Sequence, residues 1–266
     1  MPAVEALHVY PVKGCRGIAL ARAQVEPRGI RHDRRWMFVD EAGGFLTQRT
    51  VHELALVDVA IEGEALALAA PARGMGPLRL PLRPEGGARR SVGIWRDTVD
   101  AIDGGPEAAA WASALVGVPA SLVHMPDDVR RPVKPAYARP DDVVGFADAF
   151  PLLLATTASL DDLNARLDRA LPMNRFRPNV VVGGCVAWEE DGWTRVRVGA
   201  LELRVPKACD RCVVTTVDQA TGERGVEPLR TMATFRRRDD AVWFAVNAIP
   251  DGPGEIAVGD ALTVLA

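Results

Sequence analysis

The sequence predicts a mainly β, barrel-like fold with some helices (an α+β class). Short apolar segments recur along the chain, several of them alternating apolar with polar residues, and turn residues separate them. Stretches with apolar residues at helical spacing are few by comparison. The first pattern is typical of hairpins, and the second leaves room for only isolated helices.

The predicted strands are arranged mainly as hairpins. A glycine between two apolar runs supplies the positive φ angle that a tight turn needs, as at Gly63 and Gly199. The segment 213–217, which is rich in β-branched residues, also predicts a strand. The hairpin arms predicted in this way are 36–39 with 45–47, 57–61 with 66–69, 194–198 with 201–205, and a final pair within 256–265 around 259–260.

Three helices are predicted. The segment 106–115 is rich in alanine, opens with Pro106 and stops before Gly117. A second helix is headed by Ser159, which with Asp162 forms a capping box. A third, short helix begins near Pro228.

The chain divides into two predicted domains, 1–122 and 123–266. Residues 126–144 contain four prolines, several charges and few periodic apolar residues. Such a stretch is typical of a connection between domains, and it could also form a loop over a site.

Composition excludes several classes of protein. The chain has 266 residues, of which 48% are hydrophobic, and a formal net charge of -3, which disfavours a nucleic-acid surface. No stretch approaches the roughly 20 apolar residues of a membrane-spanning helix. The N-terminus lacks the pattern of a signal peptide. We therefore expect a cytoplasmic protein with no membrane partner, whose cysteines are reduced.

Residues 207–218 contain the most informative motif, a C-x-x-C pair formed by Cys209 and Cys212. A thioredoxin-like pair normally opens a helix, whereas a β-branched run follows here. Structural zinc needs four ligands, and only the isolated Cys15 and Cys185 remain. Two interpretations remain possible from the motif alone. One is a thiolate ligand at Cys212, favoured by Lys207 and Arg211 as the cations beside it, and the other is a pair of small core residues.

Several cations stand outside any periodic pattern. Lys13 precedes Gly14, where the backbone can approach a ligand closely. Arg34 begins a strand, and Arg177 stands before the apolar run 180–182. Planar guanidinium groups in such places often bind phosphate, although for any one of these arginines taken singly a surface ion pair is the favoured interpretation.

Taken together, these motifs resemble a known family. Residues 10–17, 32–36 and 45–49 are similar to the N-terminal β-barrel domain that accompanies MOSC domains. Residues 146–154, 159–164, 177–179 and 209–222 are similar to the MOSC domain itself. The resemblance implies a β-barrel-like MOSC domain preceded by a smaller β-barrel domain, and it is strongest to the mitochondrial amidoxime-reducing components and their bacterial relatives.

The resemblance implies a molybdenum–pterin cofactor (Moco) bound through a cysteine. Cys212 falls on the position of the metal ligand, which is also the catalytic group, while Cys185 and Cys209 fall on non-ligand positions. The residues that it places around the cofactor are Lys13, Gly14, Arg34, Thr156, Thr157, Arg177, Asn179 and Arg211.

The implied activity is the reduction of N-hydroxylated compounds to amines or amidines. No cysteine cluster for an iron–sulfur domain is present, so electrons are expected from a separate flavin, haem or iron–sulfur protein. The run 236–238 of three arginines could dock an acidic donor or be an ordinary solvated face. His32 and Asp33 lie near the pocket in sequence, but their spacing identifies no proton donor. The alternative is a cofactor-binding or sulfur-carrier module without reductase activity.

Overall fold

A computed structural model describes residues 1–266 and shows a mainly β protein, which confirms the predicted fold class. Nineteen strands outnumber three helices. The strands are β1 Ala3–Val9, β2 Ile18–Leu20, β3 Arg22–Glu26, β4 Gly29–Ile30, β5 Trp36–Asp40, β6 Asp58–Glu62, β7 Ala65–Ala70, β8 Met75–Pro81, β9 Arg89–Ile94, β10 Asp97–Asp103, β11 Ala120–His124, β12 Leu152–Thr156, β13 Val180–Gly183, β14 Arg195–Val198, β15 Leu201–Asp210, β16 Arg237–Arg238, β17 Ala241–Pro250, β18 Gly254–Ala257 and β19 Leu262–Val264. The helices are α1 Pro106–Val116, α2 Thr157–Asn164 and α3 Leu229–Met232.

The largest sheet joins the two ends of the chain. Its strand order is β19-β14-β15-β17-β12-β13-β1-β2, with β16 paired to β17. All its neighbours are antiparallel except β12 and β13, which pair in parallel with Leu154 opposite Val180. The first two strands of the chain therefore complete a sheet made mostly by the second half.

Three smaller sheets complete the fold. Two lie wholly within the first half, in the orders β5-β11-β10-β9 and β6-β7-β8. The third, β18-β3-β4, again joins the two ends of the chain. A boundary near residue 122 remains a prediction, and the pairing of strands crosses it twice.

The two main hydrophobic cores pack against different sheets. Val4, Leu154 and Val196 are among the side chains buried on the largest sheet. Leu66 and Leu68 belong to the other core, where they alternate with less buried residues along β7. Burying a leucine side chain contributes roughly 1.5–3 kcal/mol, so this alternation fixes which face of each strand points inward.

Two predicted hairpins are confirmed as drawn. β6 and β7 turn at Gly63 with φ 61°, and β14 and β15 turn at Gly199 with φ 56°. A third prediction is confirmed in part, since after β5 only Phe45 pairs back, in a single bridge to Val39.

Two strand predictions are wrong. β18 and β19 do not pair with each other, because β18 pairs with β3 and β19 with β14. Residues 213–216 form a short 3-10 turn instead of a strand. The Thr215 hydroxyl donates to the Cys212 carbonyl at 3.0 Å and the Thr216 hydroxyl to that of Val213 at 2.7 Å, which favours a turn.

All three predicted helices are present, and one begins earlier than expected. α2 is capped by Thr156, whose Oγ1 accepts the Ser159 backbone N–H at 3.2 Å, so Ser159 lies inside the helix. Asp162 makes no capping contact and pairs with Arg166 instead. No helix has the length and apolarity needed to cross a bilayer.

Candidate functional site

A cavity of about 410 Å³ opens between the two halves of the chain. This volume is within the usual range for a small-molecule site. The cavity brings together seven of the nine predicted site residues, from four separate segments. They are Lys13, Gly14, Arg34, Arg177, Asn179, Arg211 and Cys212.

Thr156 and Thr157 do not line this cavity. Thr156 is buried at the start of α2, where its Oγ1 lies 3.0 Å from a carboxylate oxygen of Glu190 and 2.8 Å from the Ser159 hydroxyl. The structure thus places Thr156 in a helix cap, and Thr157 in the first turn of that helix, because the cap needs this hydroxyl.

A buried carboxylate orients two of the site residues. Asp33 accepts hydrogen bonds from Arg34 Nη1 at 2.6 Å, Asn179 Nδ2 at 3.0 Å and the Tyr10 backbone N–H at 2.8 Å. Arg34 Nη1 also donates to Asn179 Oδ1 at 3.1 Å. Burial raises the pKa of Asp33, and the neighbouring Arg34 opposes that rise. Asp33 therefore holds the side chains of Arg34 and Asn179 in place in the cavity wall.

Two guanidinium groups lie against the ring of Tyr10. Those of Arg34 and Arg177 are 4.3 Å and 4.4 Å from its centroid, within cation–π range. Arg177 Nη2 is buried and has no hydrogen-bond partner in the protein. Burial lowers the pKa of Arg177 to about 10, which leaves it protonated at neutral pH. A buried charged donor without a partner is costly unless a ligand accepts from it.

Lys13 and Asp148 form an ion pair on the cavity wall. Lys13 Nζ also donates to the Phe146 carbonyl at 2.8 Å, and the indole N–H of Trp95 lies 3.3 Å from Asp148 Oδ1. Burial would raise the pKa of Asp148, but the charge and hydrogen bond of Lys13, together with Arg49, hold it well below its usual range. Asp148 is therefore a carboxylate at neutral pH.

The sulfur of Cys212 lies beside a cation from the first half of the chain. Arg49 Nη2 is 3.1 Å from Cys212 Sγ and 3.5 Å from Asp148 Oδ2. Its guanidinium also lies 4.4 Å from the Trp95 ring centroid. A cysteine sulfur is a soft donor of the kind that ligates soft metals.

The expectation that Lys207 and Arg211 flank Cys212 is wrong. Arg211 Nη1 contacts Cys209 Sγ at 3.0 Å, and its Nη2 donates to the Phe176 carbonyl at 2.8 Å. Lys207 pairs with Asp210 at 3.1 Å. Neighbours along an extended segment point to opposite sides, so sequence proximity is a poor guide here. Both cations still line the cavity.

Gly14 contributes backbone to the cavity wall. Its φ is 87°, a left-handed conformation that side chains disfavour. A Cβ there would meet Leu54 Cδ1 at 3.1 Å, and Gln48 Nε2 donates to the Gly14 carbonyl at 2.5 Å. This position therefore favours glycine over a residue with a side chain.

The remaining sequence candidates lie elsewhere. Cys15 is buried in the core of the first half, where burial raises its pKa to about 12. Cys185 packs against the largest sheet, and burial raises its pKa to about 11. His32 lines a different cavity. None of residues 126–144 lines the main cavity, whereas residues 147–150 immediately after them do.

Sequence reasoning missed several polar residues of the cavity, among them Gln48, Arg49 and Asp148. Arg49 and Asp148 stand within motifs that carried the family resemblance, which is the only signal that could have identified them. Nothing in the local spacing of Arg49 relates it to Cys212, 163 positions away.

Comparisons with known proteins agree with this architecture. Residues 1–119 match the MOSC N-terminal beta barrel domain and residues 141–263 match the MOSC domain, so the chain is a MOSC-domain protein. It is 33% identical to mitochondrial amidoxime-reducing component 1 of Mus musculus and of Homo sapiens, in each case over 98% of this chain and 82% of the relative. Identity to mitochondrial amidoxime reducing component 2 of Rattus norvegicus is 34%, over 97% of this chain and 81% of the relative. The chain belongs to the family of the mitochondrial amidoxime-reducing components.

Proposed function

We propose that this protein binds a molybdenum–pterin cofactor in the main cavity and reduces N-hydroxylated compounds there, with electrons from a separate donor protein. The observation that carries the proposal is the Cys212 thiol, placed inside a cationic cavity and contacted by Arg49 at 3.1 Å. The names of the relatives support the reductive activity.

The charges of the cavity fit an anionic cofactor. Six cationic side chains line it, against the carboxylates of Asp148 and Asp210. A phosphate group carries nearly two negative charges at neutral pH, and each hydrogen bond to a charged group contributes roughly 1.5–3 kcal/mol. The cations are Lys13, Arg34, Arg49, Arg177, Lys207 and Arg211.

Individual residues have distinct tasks in this proposal. Cys212 ligates the metal, and the unpartnered Nη2 of Arg177, with Arg34, binds the cofactor phosphate. When bound, the cofactor would supply the two-electron reduction of an N–OH group, which with two protons yields an amine or amidine and water. Asp148, ionised at neutral pH, accepts hydrogen bonds from the substrate nitrogen and is not the proton source.

Metal content and activity together test the proposal. The protein is purified from a host that makes the cofactor and is analysed for molybdenum and zinc, then assayed with benzamidoxime and a chemical reductant. We expect near-stoichiometric molybdenum and formation of benzamidine. Molybdenum without benzamidine would favour a cofactor-binding or sulfur-carrier module, and zinc without molybdenum would reject both.

Substitution of the ligand sharpens the test. Cys212→Ser is expected to lose molybdenum while keeping the thermal stability of the metal-free protein, because its side chain is only partly buried and packs in none of the cores. Cys185→Ser, which changes a thiol outside the cavity, is the matched control and should retain the metal. Full molybdenum in Cys212→Ser would refute the ligand assignment.

A further inference from the structure

A second cavity, of about 320 Å³, is formed by segments of the first half and by the connection between the halves. Eight of its ten lining residues are charged or polar, whereas nearly half of the residues around the main cavity are hydrophobic. The two cavities share no lining residue. The proposed function makes no use of the second one.

The second cavity carries excess positive charge. Four arginines line it, against the carboxylates of Glu26 and Asp127. Arg31 pairs with Glu26 at 2.6 Å, while Asp127 is shared by Arg35 at 2.7 Å and by Arg83. The fourth arginine, Arg28, has no acidic partner and donates to main-chain carbonyls. Two positive charges therefore remain without a counter-charge in the protein.

Two of these guanidinium groups are held in place before any ligand binds. Arg35 is buried, and its Nε donates to the Met125 carbonyl at 3.0 Å. Arg28 Nη2 donates to the carbonyl of Asp127 at 3.1 Å and also contacts that of Val129. Side chains fixed in this way lose little further rotamer entropy when they bind an anion.

A buried histidine completes the wall. His124 is 3% exposed, packs against Trp36 with the ring centroids 5.1 Å apart, and has no hydrogen-bond partner for its buried Nδ1. Burial, together with the charge of Arg35, lowers the pKa of His124 to about 3, so the ring is neutral at neutral pH. A neutral imidazole keeps one N–H donor, which nothing in the protein uses at this position.

We propose that this second cavity is a binding site for a small phosphate-bearing organic anion. Rigid guanidinium forks match the geometry of phosphate oxygens, and the surplus of two charges matches a phosphate dianion more closely than a carboxylate. The volume exceeds that of a bare phosphate ion and leaves space for a small ester.

The site is adjacent to the main cavity along the chain but separate in space. Arg34 points into the main cavity and Arg35 into the second one. His32 and Arg34 have positive φ angles of 70° and 45°, which produce this divergence of neighbouring side chains. An anion in the second cavity would therefore stabilise the segment that also positions Arg34.

Calorimetric titration of the cofactor-loaded protein with glycerol 3-phosphate tests the proposal. We expect saturable binding with one site per chain. Arg83→Gln should weaken the affinity about tenfold or more, because one charge-assisted contact is lost. The matched control is Arg79→Gln, an arginine of similar exposure (58% against 55%) that pairs with Glu62 and lies outside both cavities. It should leave the affinity unchanged.

A variant of the main cavity tests which of the two cavities binds glycerol 3-phosphate. Lys207→Gln, which removes a cation of the main cavity other than the two that bind the cofactor phosphate, should leave binding of glycerol 3-phosphate unchanged. Loss of binding in Lys207→Gln but not in Arg83→Gln would place the anion in the main cavity and overturn the proposal. Absence of saturable binding to the unmodified protein would also overturn it. Equal affinity for acetate would refute the preference for phosphate.

Discussion

Arg49 and Arg177 approach the main cavity from different halves of the chain, and their side chains differ in what they already contact. Arg49 is engaged by Cys212, Asp148 and Trp95. Arg177 lies on Tyr10 and keeps a buried, unpartnered Nη2. Arg49 is therefore placed to interact with the Cys212 sulfur, whereas Arg177 is placed to bind a ligand through Nη2.

The contact between Arg49 and Cys212 leads to a prediction about cofactor retention. Arg49→Gln removes a charged donor from the Cys212 sulfur. Because such a contact contributes roughly 1.5–3 kcal/mol, we expect the cofactor to dissociate at least about tenfold more readily. Molybdenum content after extended dialysis measures this effect. Arg90→Gln, which removes an equally half-buried arginine paired with Asp103, is the control. Equal retention in the two variants would contradict the role given to Arg49.

Among the elements, α2 shows how a local polar cluster stabilises one helix. Thr156 caps it, Ser159 Oγ donates to Glu190 Oε2 at 2.9 Å, and the Trp188 backbone N–H donates to Ser159 Oγ at 2.7 Å. The cluster is buried and lies outside the main cavity. We therefore expect the cluster to affect the stability of the protein. Substituting one of its residues tests stability separately from cofactor binding.

Removal of the cap of α2 should destabilise the protein without releasing cofactor. Thr156→Ala is expected to lower the free energy of unfolding by about 0.5–2 kcal/mol, as for other N-cap threonines. Urea denaturation measures this change, with Thr157→Ala in the first turn as the matched control. A lower molybdenum content in folded Thr156→Ala would instead place Thr156 in the cofactor site.

Glu190 gives the same cluster a dependence on pH. Burial raises its pKa above the ordinary value of 4.5, so above that pH the folded protein binds more protons there than the unfolded chain. The free energy of unfolding therefore falls as pH rises through the folded pKa. Glu190→Gln removes this dependence, and we expect its stability relative to the unmodified protein to increase between pH 4 and pH 8 in urea denaturation. A difference that is constant with pH would contradict this account.

On the scale of the whole molecule, the two ends of the chain hold its halves together. β1 pairs with both β2 and β13, and β3 pairs with β18. The main cavity takes Lys13 and Arg49 from one half and Cys212 and Arg177 from the other. The site therefore exists only when both halves are folded.

The second half should not fold independently. A fragment of residues 123–266 lacks β1, so β13 would become an edge strand with unpaired backbone groups and exposed valines. We expect the fragment to unfold without a cooperative transition in far-UV circular dichroism or to aggregate, while the full chain unfolds cooperatively. A cooperative transition in the fragment would confirm an independent domain in the second half.

Much of the local structure follows from the sequence alone. Alternating apolar residues with a glycine between them place the hairpins at Gly63 and Gly199, because a buried face and a positive φ are local requirements. Pro106 and Gly117 bound α1 for the same kind of reason. Most of the candidate site could also be predicted from the sequence, since seven of the nine residues suggested by the family motifs meet in one cavity. The roles of these residues remain predictions.

The remaining features depend on contacts between distant parts of the chain. Alternation does not specify a strand's partner, which is why β18 pairs with β3 across more than 200 positions instead of with β19. Sequence proximity likewise suggested Arg211 beside Cys212, whereas folding brings Arg49 there. The sequence by itself determined most of the elements and the residue types of the site, because both depend on local conformation and chemistry. Only the tertiary structure decided which strands pair and which cation meets the thiol, because those choices depend on packing across the whole molecule.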